Sequence, residues 1–223
     1  MSVGLKFILS NLFLALLAGC GGLATSEGQA KLNTSVTQLN RKVIKVINHS
    51  SGASDADVSA QIEAMNSGQL QTDFKNDWHV DSVLVLSTFS SASDLTVYLV
   101  DVLPDSSKAG KVFGYHWKNN AYIDVKECLI TQNLYQWQRT MSHETLELLL
   151  DTDAGTAYGN LVSNLHLAPR LEVCDPVENN YYSPSFGLLP TLADYVTPSW
   201  YGISLGKPYD HMQTLTEAGQ VKS

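Results

Sequence analysis

SHETLELLLD, residues 142–151, is the stretch that decides how this chain is read. On a helix turning about 100° per residue, His143, Glu147, Asp151 and Glu144 fall within an arc of about 100°. Thr145 and the leucines at 146, 148, 149 and 150 spread over about 200° of the remainder, a wider apolar arc than a surface helix needs. The pattern predicts a helix that is mostly buried, with one polar stripe lining a cleft or a wet seam. Within that stripe Glu144 and Glu147 stand at i,i+3, and Glu147 and Asp151 at i,i+4. Each like-charge pair costs about 0.2–0.5 kcal/mol even when solvated. No Lys or Arg occurs between Thr140 and Pro169 to offset them. A bound dication would.

His143 and Glu147, one turn apart on one face, can reach a single metal ion, since imidazole nitrogen and carboxylate oxygen are both accepted zinc ligands. The stretch begins like the HExxH zinc helix, with Glu147 where the second histidine would stand. Glu144 is displaced round the helix, where a carboxylate acts on water rather than on the ion, and it is the candidate general base. Zn2+ is the expected cofactor, another divalent metal being compatible with so acidic a set. Carboxylate in place of imidazole adds negative charge and weakens Lewis acidity, which predicts slow turnover.

Catalytic zinc usually takes three protein ligands. The nearest acidic source downstream is RLEVCDPVENNYY, residues 170–182, and Glu172 is the first choice. Glu178, Asp175 and Asp151 remain alternatives. The opposing reading has these acids bracing a turn fixed by Pro176, and HExxE alone is also a short pattern that recurs by chance.

Outward from the helix, KVIKVINHS (42–50) and SVLVLST (from 82) read as strands. LTVYLVDV (from 95) is a third, too continuously apolar to have an exposed face. Between the first two, Ser54 or Asp55 can cap a helix whose Val58, Ile62, Met65 and Leu70 form a stripe that Gly68 weakens. Residues 103–120 read as a long loop carrying Gly110 and Gly114. AYIDVKECLI (121–130) reads as an edge strand with one wet face, and the motif helix starts between Asn133 and Ser142. The order predicts an α+β domain: a mixed sheet whose edge strand lies beside the HExxE helix. After Asp151 the regular period is lost.

SHETLELLLD, LEVCDPVE (171–178) and DYVTPSWY (194–201) resemble the ordered blocks SHExLExLxDP, EVCDPVE and DFVxPxWF of an uncharacterised bacterial zincin-like family. Residues 46–85 and AGKVFGYH (109–116) are similar to its N-terminal half, so the resemblance covers most of residues 43–201. It implies a zincin-like metallopeptidase fold and a metal site, and brings no substrate with it. The chain departs from the pattern at Thr152, where Pro commonly stands.

The remaining candidates are weaker. His79, His116, His166 and His211 are scattered, His116 being the best placed because it lies just before the presumed edge strand. Tyr195, Tyr201 and Tyr209 can supply an oxyanion-stabilising phenol, although packing roles suit them equally. Cys174 has no histidine near it in sequence.

The first residues, MSVGLKFILSNLFLALLAGC, combine Lys6 with an apolar run from Phe7 to Leu17. That run is far short of the roughly 20 residues of a spanning helix and reads as an export signal. Leu17-Ala18-Gly19-Cys20 resembles the bacterial lipobox, which implies acylation of Cys20 and a cell-envelope, lipid-anchored protein. With Gly21 and Gly22 following, the outer membrane is favoured in a host with two membranes. The expected organisation is a signal peptide over 1–19, an acylated Cys20 and flexible tether over 20–40, and one zincin-like domain over 41–223. Cys128 and Cys174 are then the cysteines left, and an exported compartment permits them to pair. With 14 basic against 22 acidic residues and a net charge of -8, nucleic acid is not an expected partner. The expected partner is a peptide or protein substrate. The competing class is a non-catalytic metal-binding or structural lipoprotein, from which the presence of Glu144 distinguishes an enzyme.

Overall fold

β1, Lys42–Asn48, alternates β-branched and polar residues and takes a central place in the sheet. It pairs in parallel with β2, Ser82–Leu86, on one side and β3, Leu95–Val100, on the other. β3 pairs in parallel with β5, Asn120–Asp124. β4, Gly114–Trp117, runs antiparallel to β5 and closes the order β2-β1-β3-β5-β4. The chain is therefore a mixed α/β structure with a five-stranded mixed sheet. This computed structural model describes residues 41–131, 136–151, 172–183 and 190–218. The export signal, Cys20, the tether, Thr152 and His166 lie outside the described residues, as does the side chain of Asp151. No helix among the described residues is long and apolar enough to cross a membrane.

Two features differ from the sequence expectation. Residues 103–120 are not one loop, because GYHW forms β4, and β4 rather than residues 121–130 is the edge strand beside the motif helix. Its hairpin with β5 turns at Lys118, which takes a positive φ of 54°. Lys-Asn lacks the Asn-Gly or Asp-Gly signature that marks such a tight turn in sequence. The second difference is at Asp124, where β5 ends and α3, Val125–Ile130, begins. Asp124 caps this helix by accepting the N–H of Glu127 at 2.9 Å. Asp followed three residues later by Glu is a helix-start signature, and it outranks the imperfect alternation that suggests a continued strand.

The helical layer follows its expected stripe. Ser54 and Asp57 form a reciprocal capping box ahead of α1, Asp55–Met65. Val58, Ile62, Met65 and Leu70 are all buried. Around Gly68 the helix widens into a π turn, Asn66–Leu70, before α2, Asp73–Trp78. The amide of Asn66 there bonds both the N–H (2.8 Å) and the C=O (3.0 Å) of Leu84, satisfying backbone groups on the outer edge of β2.

α4, Gln136–Asp151, carries the motif and packs on β4 and β5. Leu146, Leu148 and Leu149 are fully buried, as the wide apolar arc predicts. On its far side the helix meets a small antiparallel pair, β6 (Tyr181–Tyr182) and β7 (Leu192–Ala193). Ser142 pins it there, its hydroxyl donating to Gln69 at 2.9 Å and accepting the N–H of Ala193 at 3.0 Å.

Candidate metal centre

The polar stripe of α4 faces two elements, the edge strand β4 and the acidic turn that contains the 3-10 helix Asp175–Val177. β4 reaches the helix so closely because of Gly114. A Cβ there would lie 2.7 Å from Thr140 Cγ2 and 3.1 Å from Glu144 Cγ. Gly114 and His116 are two apart on one strand and so share a face. The missing side chain at one brings the imidazole of the other onto the helix.

Within the stripe, His143 Nε2 lies 3.1 Å from Glu147 Oε2 and 3.2 Å from Asp175 Oδ1. His116 Nδ1 lies 3.2 Å from Glu144 Oε2 and 3.7 Å from Glu147 Oε2, and its Nε2 is 4.0 Å from Glu172 Oε2. Glu147 is 2% exposed, His116 5% and Glu144 7%. Two donor sets, each with its atoms within 4.8 Å of one another, therefore share Glu147. One is His143, Glu147 and Cys174; the other is His116, Glu147 and Glu172.

The sequence candidates thus arrive in one place with an altered grouping. His143, Glu144 and Glu147 line the stripe as the wheel predicts. Glu172 reaches the centre from the side of His116. Asp175 pairs with His143, and Glu178 lines the cleft beside it. His116, marked in sequence only by its place just before the presumed edge strand, joins through β4, a strand expected to be part of a loop.

Cys174 is buried, with its backbone N–H donating to Glu147 Oε1 at 3.1 Å and its thiol 3.8 Å from the carbonyl oxygen of His143. It is a free cysteine, as is the buried Cys128. Tyr201 donates to the carbonyl of Glu172 at 3.2 Å and is the candidate phenol nearest the centre. Tyr195 instead donates to Asp77, and Tyr209 lies under Lys207.

The electrostatics are those of too many anions in a dry place. Burial pulls the imidazole of His143 down, but Asp175 and Glu147 outweigh it and hold the ring well above its ordinary pKa. His116 is likewise raised, its desolvation overcome by Glu144, Glu172 and Glu147. Burial and then the charge of Glu147 push Glu172 up to about 7. Burial, followed by the carboxylates of Glu147 and Glu144, keeps the thiol of Cys174 protonated. The centre thus holds protons where a cation would relieve the same repulsion.

No family profile, curated protein or solved structure matches the chain.

Proposed function

We propose that this chain is a zincin-like, metal-dependent hydrolase of peptide bonds, held on the bacterial cell envelope through a lipidated Cys20. The observation that carries the reading is the convergence of His143 Nε2 and Glu147 Oε2 at 3.1 Å on the buried face of α4. The edge strand beside that helix, as the zincin-like reading expects, adds support.

The donor chemistry fits a divalent cation. Imidazole with carboxylate suits Zn2+, and the surplus of oxygen donors also accommodates harder metals. His143 and Glu147 would hold it, with the set completed by Cys174 or Asp175 on one side or by His116 and Glu172 on the other. When bound, the cation supplies Lewis acidity to a peptide carbonyl and lowers the pKa of water.

The chain's own residues supply the proton handling. Glu144 is oriented by His116 Nδ1 at its Oε2, leaving its other oxygen to take a proton from the attacking water and return it to the leaving amine. His116 fixes the position of that carboxylate, and the β4–α4 contact at Gly114 fixes His116.

Glu144→Gln in the full chain tests the assignment. Metal content should be unchanged while cleavage of a peptide library falls by about 100-fold or more. Cleavage equal to wild type would remove Glu144 from the reaction. A wild type that holds metal and cleaves nothing would make the centre structural.

A further inference from the structure

Beside the metal centre, a cleft of about 400 Å³ opens between α4, the start of β4 and the 175–179 turn. Its wall near His143 is acidic, with Glu144, Asp175 and Glu178. Its other lining residues include Arg139 and Lys111. In a chain with a net charge of -8, two cations in one cleft call for a reason.

Arg139 lies four residues, about 6 Å of helical rise, before His143 on the same face. Its guanidinium is already positioned: Nη2 donates to Gln136 Oε1 at 2.7 Å, and the Tyr181 ring lies 5.6 Å away. That is one of the five N–H groups a guanidinium offers. The Lys and Arg ion pairs among the described residues are Arg41–Asp81, Lys45–Asp94 and Lys75–Asp81, so neither Arg139 nor Lys111 is in one. A preset planar fork that lines a cleft and has donated one N–H to Gln136 can still match a carboxylate bidentately through its other donors.

We propose that the substrate presents a carboxylate to Arg139, with Lys111 adding positive charge at the cleft. The carboxylate belongs to an acidic side chain or to the free C-terminus of the peptide. The assignment of this anion as part of a substrate rests on the peptidase reading; the anion site itself does not.

The test uses three probes with the full chain: N-acetyl-Ala-Ala-Glu amide, N-acetyl-Ala-Ala-Gln with a free C-terminus, and N-acetyl-Ala-Ala-Gln amide. Binding is measured by calorimetry on EDTA-treated and on zinc-loaded protein. At least one carboxylate probe should bind about tenfold tighter than the neutral amide in both preparations, and which one does so identifies the source. Arg139→Gln should abolish that advantage, Arg139→Lys should retain part of it, and Lys111→Ala should reduce it. Carboxylate probes that bind no tighter than the neutral amide, or an advantage that survives Arg139→Gln, would overturn the proposal. Should Arg139→Gln fail to fold, the exposed Lys111→Ala and the conservative Arg139→Lys carry the comparison. An intact carboxylate preference without any cleavage would sink the peptidase reading alone.

Discussion

Glu147 Oε1 accepts the backbone N–H of Cys174 at 3.1 Å, which ties the motif helix to the acidic turn while leaving Oε2 for His143. The residue that looks like a defect in an HExxH motif therefore has a structural task beside the chemical one proposed for it.

The two tasks separate by substitution. Glu147→Gln keeps an oxygen for the Cys174 N–H and loses the charge, so divalent-metal affinity should fall by more than about tenfold with little change in stability. Glu147→Ala leaves that buried N–H unpaired and should cost a further 1–3 kcal/mol or so in folding stability. Metal titration and denaturant unfolding of the two variants distinguish these effects.

Gly114 is the contact point between β4 and α4. Gly114→Ala places a methyl against Thr140 and Glu144, which should destabilise the fold by about 1–3 kcal/mol and displace His116 from Glu144. Thermal unfolding reads the first effect. The second should appear as a drop in turnover exceeding the loss of metal.

Much of this was legible beforehand, and the reasons are local. The wheel of residues 142–151 fixes which side of α4 is buried, because leucines separated from carboxylates by helical period leave one low-energy orientation. Val58, Ile62, Met65 and Leu70 were legible for the same reason. His116 stood out only by its position near the presumed edge strand; β4 itself was hidden, because a four-residue edge strand closed by a Lys-Asn turn carries too little periodic signal to separate it from a loop. The place of Glu172 depends on how the chain returns after α4, and no local pattern encodes that path.

Away from the centre, the buried carboxyls of Asp194 and Asp210 hydrogen-bond to each other, an arrangement that needs one proton between them. Burial, helped by the hydrogen bond with Asp210, pushes Asp194 up to about 6 against the N–H donors of Tyr195 and Met212. Asp210 is also desolvated, but the donors on Leu215 and Thr214 outweigh that and keep it ionised. A carboxyl raised above its unfolded value of about 3.9 stabilises the fold at low pH, and that stability is lost as pH rises through the folded value. Wild type should therefore lose roughly 1–3 kcal/mol between about pH 4 and about pH 7 relative to Asp194→Asn, whose amide donates to Asp210 at every pH. Denaturant melts of both proteins across that range give the difference; parallel pH profiles would refute the shared proton.

The proposed function requires that His143 and Glu147 hold a divalent cation. Its most direct test is the metal content of the purified full chain, by elemental analysis after dialysis against Zn2+, beside His143→Ala. A stoichiometric metal in wild type that is lost from His143→Ala is the predicted result. The same sub-stoichiometric content in both proteins would contradict it.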